Sequence, residues 1–135
     1  MSWRESLIRI AGHEVETLQK RLAEIVERRT GAELRAAMLE AEAEAEILNA
    51  AANIDAAWRL AGYLEGVRLR RAGLHDEISR IGAEEHGARD ALAQAFESQK
   101  KYEHIAEVAR IAEIKEASRR ETIALDELGL RKATR

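Results

Sequence analysis

The chain has 135 residues, 35% of them charged and 46% hydrophobic but only 4% aromatic, with a net charge of −3. Much of the apolar share is alanine, and a composition rich in Ala, Glu, Arg and Leu points to long helix or coiled coil rather than to one compact core. The lack of cysteine excludes disulfides and thiolate metal sites, and interspersed charges with no basic stripe beyond the cluster Arg68 to Arg71 argue against a nucleic acid partner.

The first arm opens with Ser2 and Glu5 at the spacing of a capping box, so a helix is expected from Trp3. Ile8, Ala11, Val15, Leu18, Leu22 and Ile25 then recur in steps of three and four, the seam of a coiled coil. Glu16 with Lys20 and Glu24 with Arg28 have the spacing of helix-surface ion pairs. Arg29 falls on a seam position, either as a break in the packing or as a charge with a partner opposite. Thr30, Gly31 and Glu33 offer a second capping box, but Ala32, Ala36, Leu39 and Ala43 keep the register, so one continuous helix is expected. After Ala43 the apolar positions move to Ile47, Ala51, Ile54, Trp58 and Ala61, a shift that reads as a stutter or the approach to a turn.

A second arm carries Leu64, Val67, Leu74, Ile78, Ile81, Ala88, Leu92 and Ala95, with a skip between Val67 and Leu74. Tyr102, Ile105, Ala109 and Ala112 continue it less strictly. Glu97 with Lys101 and Glu116 with Arg120 support the exposed face, and Gly129 is the expected C-terminal stop. Arg131 and Lys132 suit the negative end of a helix dipole.

Long proline-free arms on both sides of a reversal predict an all-α fold, an antiparallel two-helix coiled-coil hairpin with the second helix longer than the first. The reversal has two candidate positions, Asn49–Asp55 with turn-forming side chains, or the glycines Gly62, Gly66 and Gly73. Facing residues of an antiparallel hairpin have a constant index sum, about 106 for a turn at residue 53. A slip of two to four residues then sets the acidic run (Glu40, Glu42, Glu44, Glu46) against the arginines, with Glu40 beside Arg68 and Arg29 near Asp76 and Glu77. The early turn is therefore preferred. It gives one coiled-coil hairpin with a helix over 3–49, a turn over 49–55 and a helix over 56–129.

Catalytic chemistry is not visible. His13, His75, His86 and His104 are never three or four apart, so no metal-ligand pair forms along a helix. His13 with Glu16 and His104 with Glu107 read as solvated surface pairs. No phosphate-binding Gly-x-x-x-x-Gly-Lys loop is present. The expectation is a non-enzymatic protein without metal or cofactor. No run of about 18 apolar residues would span a membrane, and the N-terminus lacks the apolar core of a signal peptide, so the chain reads as cytoplasmic. Trp58 and Tyr63 either plug the end of the hairpin or form, with Val67 and Leu74, an exposed patch for a partner.

Three stretches carry a resemblance: LIRIAGHEVETLQKRLAEIVERR in the first arm, NIDAAWRLAGYLEGVRLRRAGL after the turn, and LDELGLRK near the end. Their order and the total length resemble the FliJ family of bacterial flagellar export proteins. The resemblance implies an antiparallel coiled coil similar to the central stalk subunit of rotary ATPases. Such a protein engages the hexameric flagellar export ATPase, the export gate protein and export chaperones at the base of the export apparatus, and meets the membrane only through these partners. By matching position, Trp58, Tyr63, Val67 and Leu74 would contact the gate at the hairpin tip. Val15, Leu18, Asp126, Glu127, Leu128 and Arg131 would contact the ATPase near the termini. Arg70 departs from the family pattern, which tends to a small or apolar residue there. The reading independent of the resemblance is a self-associating coiled-coil scaffold, two hairpins forming a four-helix bundle.

Overall fold

The computed structural model describes residues 2–134. It contains two helices, α1 (Trp3–Ala52) and α2 (Ile54–Ala133), of 50 and 80 residues. They form the antiparallel hairpin, with the second helix the longer. α1 starts at the capping box: Ser2 Oγ accepts from Glu5 N at 3.2 Å while Glu5 Oε2 accepts from Ser2 N at 3.3 Å, satisfying two donors that a helix start leaves open. Thr30 does not interrupt α1, because its hydroxyl bonds back to the Val26 carbonyl at 3.0 Å in the manner of a threonine inside a helix.

The reversal takes one residue, Asn53, rather than a seven-residue turn. Its side-chain Oδ1 accepts from Asp55 N at 3.0 Å and Ala56 N at 3.4 Å, capping α2 as an asparagine does best. The helix runs straight through Gly62, Gly66 and Gly73, whose Cα atoms face open space, so these glycines turn nothing. Gly129 does not stop α2 either. The helix continues to Ala133, where Thr134 Oγ1 donates to the Leu130 carbonyl at 3.1 Å.

The hairpin divides into two compact units, Glu16–Ala93 and the remainder, Met1–Val15 with Gln94–Arg135. In the turn-bearing unit the α1 seam is the one its periodicity sets. Ile25, Ala32, Leu39 and Ala43 are buried, with Leu22 and Ala36 half-buried between them. Ile25 and Ala32 pack with Ile81 and Ala88, and Leu39 and Ala43 pack with Val67. The register does not make the shift after Ala43 that the apolar pattern suggests. Ala50 stays half-buried while Ile47, Ala51, Ile54 and Trp58 are exposed.

At the skip between Val67 and Leu74 the exposed Arg71 reaches across to Glu40 with Nε–Oε1 at 2.5 Å and Nη2–Oε2 at 3.0 Å. Arg29 takes the other seam gap, against Glu85 rather than Asp76 or Glu77. Its Nη2 donates to Glu85 Oε1 at 3.2 Å. Nε lies 2.9 Å from Oε2 but out of line for a hydrogen bond, so that contact is charge attraction only. Arg28 bridges to Glu84 at 2.9 Å instead of pairing with Glu24.

The unit holding the termini buries Ala11 and Val15 of α1 and Ala95 of α2. Arg4 reaches Glu113 across the helices at 2.5 Å and lies 6.0 Å from the Trp3 ring centroid. Beyond Glu116 every described residue of α2 is exposed.

Candidate functional site

Glu40 pairs with Arg71 and Arg35 with Glu77 at 2.8 Å, and the indices of these two pairs add to 111 and 112. The offset from a sum of about 106 follows from the one-residue turn. Within the first turn and a half of α2, Ile54 to Arg59, only Ala56 is buried and the other five residues face out. Ile54 is 77% exposed and Trp58 84% exposed, and Leu48 on the last two turns of α1 is 73% exposed. Trp58 therefore does not plug the hairpin. It stands on the surface with exposed apolar neighbours in sequence on both sides of Asn53.

The other residues grouped with Trp58 behave differently. Val67 is fully buried, and Tyr63 and Leu74 pack against the cluster it forms with Leu39 and Ala43. The four do not make one exposed patch. Ile54, Leu48 and Ile47 are the side chains that share Trp58's exposure. The four- and three-residue spacing of Ile47, Ala51, Ile54 and Trp58 was the signal, but the same spacing reads equally well as seam. Near the termini, Val15 is buried in the seam and Leu18 is half-buried, while Asp126, Glu127, Leu128 and Arg131 are exposed. Ile123, Leu125 and Leu130 add to the exposed apolar set on this segment of α2.

Electrostatics tie the flanks together. The Arg71 guanidinium holds the Glu40 carboxyl below its ordinary range by hydrogen bonding, and Arg35 does the same to Glu77. Glu85 is lowered chiefly by its hydrogen bond from Arg29, with a further one from Arg89 at 3.1 Å. Arg68 does not reach Glu40. It forms a two-pronged pair with Glu65 one turn back, at 2.7 and 3.1 Å. Glu97 with Lys101 at 3.7 Å and Glu116 with Arg120 at 3.3 Å are made as spaced.

Among the described residues no three His, Asp or Glu side chains converge in a metal-binding arrangement, and no helix is long and apolar enough to cross a membrane. The exposed large side chains are mostly apolar or charged.

No family model matches the chain, and no solved structure matches it. Curated relatives do. The chain is 54% identical over 131 residues to the Flagellar FliJ protein of Caulobacter vibrioides strain NA1000 / CB15N, covering 97% of this chain and 94% of the relative. The same figures hold for the Flagellar FliJ protein of strain ATCC 19089 / CIP 103742 / CB 15. At that identity, spread over both helices and the turn between them, the chain belongs to the FliJ family of flagellar proteins.

Proposed function

We propose that the chain is a non-enzymatic, cytoplasmic component of the flagellar protein export apparatus, acting as a stalk between the hexameric export ATPase and the export gate. The observation that carries this reading is the 54% identity to a flagellar FliJ protein over 97% of the chain. The exposed segment of α2 beyond Glu116, with Asp126, Glu127, Leu128 and Arg131, is the surface offered to the ATPase. Leu18 stands at the half-buried edge of the seam, and Val15 supports that end from inside. The apolar surface around Trp58, with Ile54 and Leu48, is offered to the gate, while Tyr63, Val67 and Leu74 hold it up from the core. Export chaperones are further partners on the same apparatus. A stalk transmits the state of a ring only by binding its conformations unequally, because equal affinity shifts no equilibrium.

The test is direct. Titrating the protein into the purified export ATPase from the same organism should raise ring assembly or ATP turnover. A variant ending at Glu116 should lose the effect while keeping the hairpin. No response to the intact chain would refute the stalk role. For the gate, a Trp3→Phe background isolates Trp58, whose emission should shift on binding the cytoplasmic gate domain. Binding with an unchanged spectrum would move the contact elsewhere.

A further inference from the structure

One side of the turn-bearing unit carries two grooves in line. The groove nearer the turn, about 380 Å³, is walled by Glu46 and Asn49 of α1 and by Arg59 and Tyr63 of α2. The other, about 440 Å³, runs between Met38 and Glu42 of α1 and Arg70, Gly73 and Leu74 of α2. Arg35, Glu42 and Asn49 follow one another at seven-residue steps on α1, as do Ala56, Tyr63, Arg70 and Glu77 on α2. Seven residues are two coiled-coil turns, so the two grooves form one continuous face.

The charges on this face are divided and incompletely used. The α1 side presents Glu42 and Glu46, which form no ion pair. On the α2 side, Arg70 has only the Gly66 carbonyl at 3.5 Å and Arg59 only the Asp55 carbonyl at 3.3 Å. Relief is divided in the same way. Met38 projects from α1, 53% exposed, while Gly73 on α2 leaves open space where a side chain would stand.

We propose that this face is a self-association surface that takes a second copy of the chain, with α1 of each copy lying over α2 of the other. Glu40–Arg71 and Arg35–Glu77 fix the level of the helices, because their indices add to 111 and 112. Glu42 and Arg70 therefore lie at one height. A two-fold axis along the hairpin keeps that height and sets Glu42 against the partner's Arg70, twice. It also brings Met38 over the partner's Gly73. A two-fold axis across the hairpin would instead set the acidic side on the acidic side, which like charges oppose. The arrangement is isologous and closed, so it stops at two copies. The two grooves are lined by fourteen residues, fewer than the roughly 20–30 a side of a standard stable interface, so the dimer is weak.

Sedimentation velocity of the intact chain from about 1 to several hundred micromolar tests the proposal. A monomer–dimer equilibrium should appear and weaken with salt. Glu42→Arg and Arg70→Glu should each raise the dissociation constant at least tenfold, and the double variant should restore it, because the swapped pair again matches. Circular dichroism would establish that each variant keeps the hairpin. A chain that stays monomeric throughout, a dimer indifferent to either single reversal, or a double variant no better than the singles would each overturn the proposal.

Discussion

Val67 and Trp58 stand nine residues apart on one helix, and the structure gives them opposite roles that a pair of substitutions separates. Val67 is 0% exposed and packs with Leu39 and Ala43, whereas Trp58 is 84% exposed. Val67→Ala removes two buried carbons, about 0.8 kcal/mol each by transfer. The space left behind adds about 1 kcal/mol at roughly 24 cal/mol per Å³. The expected loss is about 2–3 kcal/mol. At a urea slope of about 2 kcal/mol/M, the unfolding midpoint followed at 222 nm falls by roughly 1 M. Trp58→Ala gives up little buried area and gains helix propensity, so its stability should stay within about 0.5 kcal/mol of the parent. Binding of the gate should respond the other way, lost in Trp58→Ala and retained in folded Val67→Ala. Equal destabilisation by the two substitutions would refute the division of the helix into seam and surface on which the site rests.

Asn53→Ala removes the only side-chain cap at the reversal and should cost about 0.5–2 kcal/mol in the same urea titration. Ala32→Leu forces a large side chain into a fully buried position between Ile25, Ile81 and Ala88; a thermal melt should show a loss of about 1–3 kcal/mol. Removing 117–134 deletes only exposed helix, so the melting temperature should hold while the total helical signal falls. Because Glu40, Glu77 and Glu85 are held below the ordinary value of 4.5 by their arginines, their stabilisation is fully present above that pH. It is lost as pH falls through the lower native-state values; a stability profile that is flat on acidification below about 4.5 would contradict these pairs.

The α1 seam was legible because its three- and four-residue steps run from Ile8 to Ala43 with Arg29 as the one charged step, and no other face of that stretch competes as strongly. The capping box was legible for a similar reason, since Ser2 and Glu5 leave few other uses for their spacing. Cross-helix pairing was harder. An index sum of about 106 assumes that the helices pair from the turn onward, whereas the observed pairs Glu40–Arg71 and Arg35–Glu77 lie five or six residues off that sum. Arginine reach adds to the uncertainty: Arg68 and Arg71 are one turn apart, and Arg68 has Glu65 nearer on its own helix. At the tip, Ile47, Ile54 and Trp58 carry the same periodicity as a seam. Whether such a stripe is covered depends on where the opposing helix begins, which lies in tertiary geometry and not in the spacing.

The one-residue reversal at Asn53 bears on which changes of length the hairpin can absorb. A loop of several residues would take up an inserted or deleted residue by altering its own path. Here no such slack exists. One residue lost from α1 near Ala36 would rotate everything on its N-terminal side by about 100°. Leu22 and Ile25 would then swing away from Ile78, Ile81 and Ala88, with which they now pack. Only a deletion of seven, two full turns, returns those side chains to the same side. Even then they would meet α2 one heptad out of step unless α2 shortened to match. Within the paired stretch, length in the two arms can therefore change only together and in whole heptads.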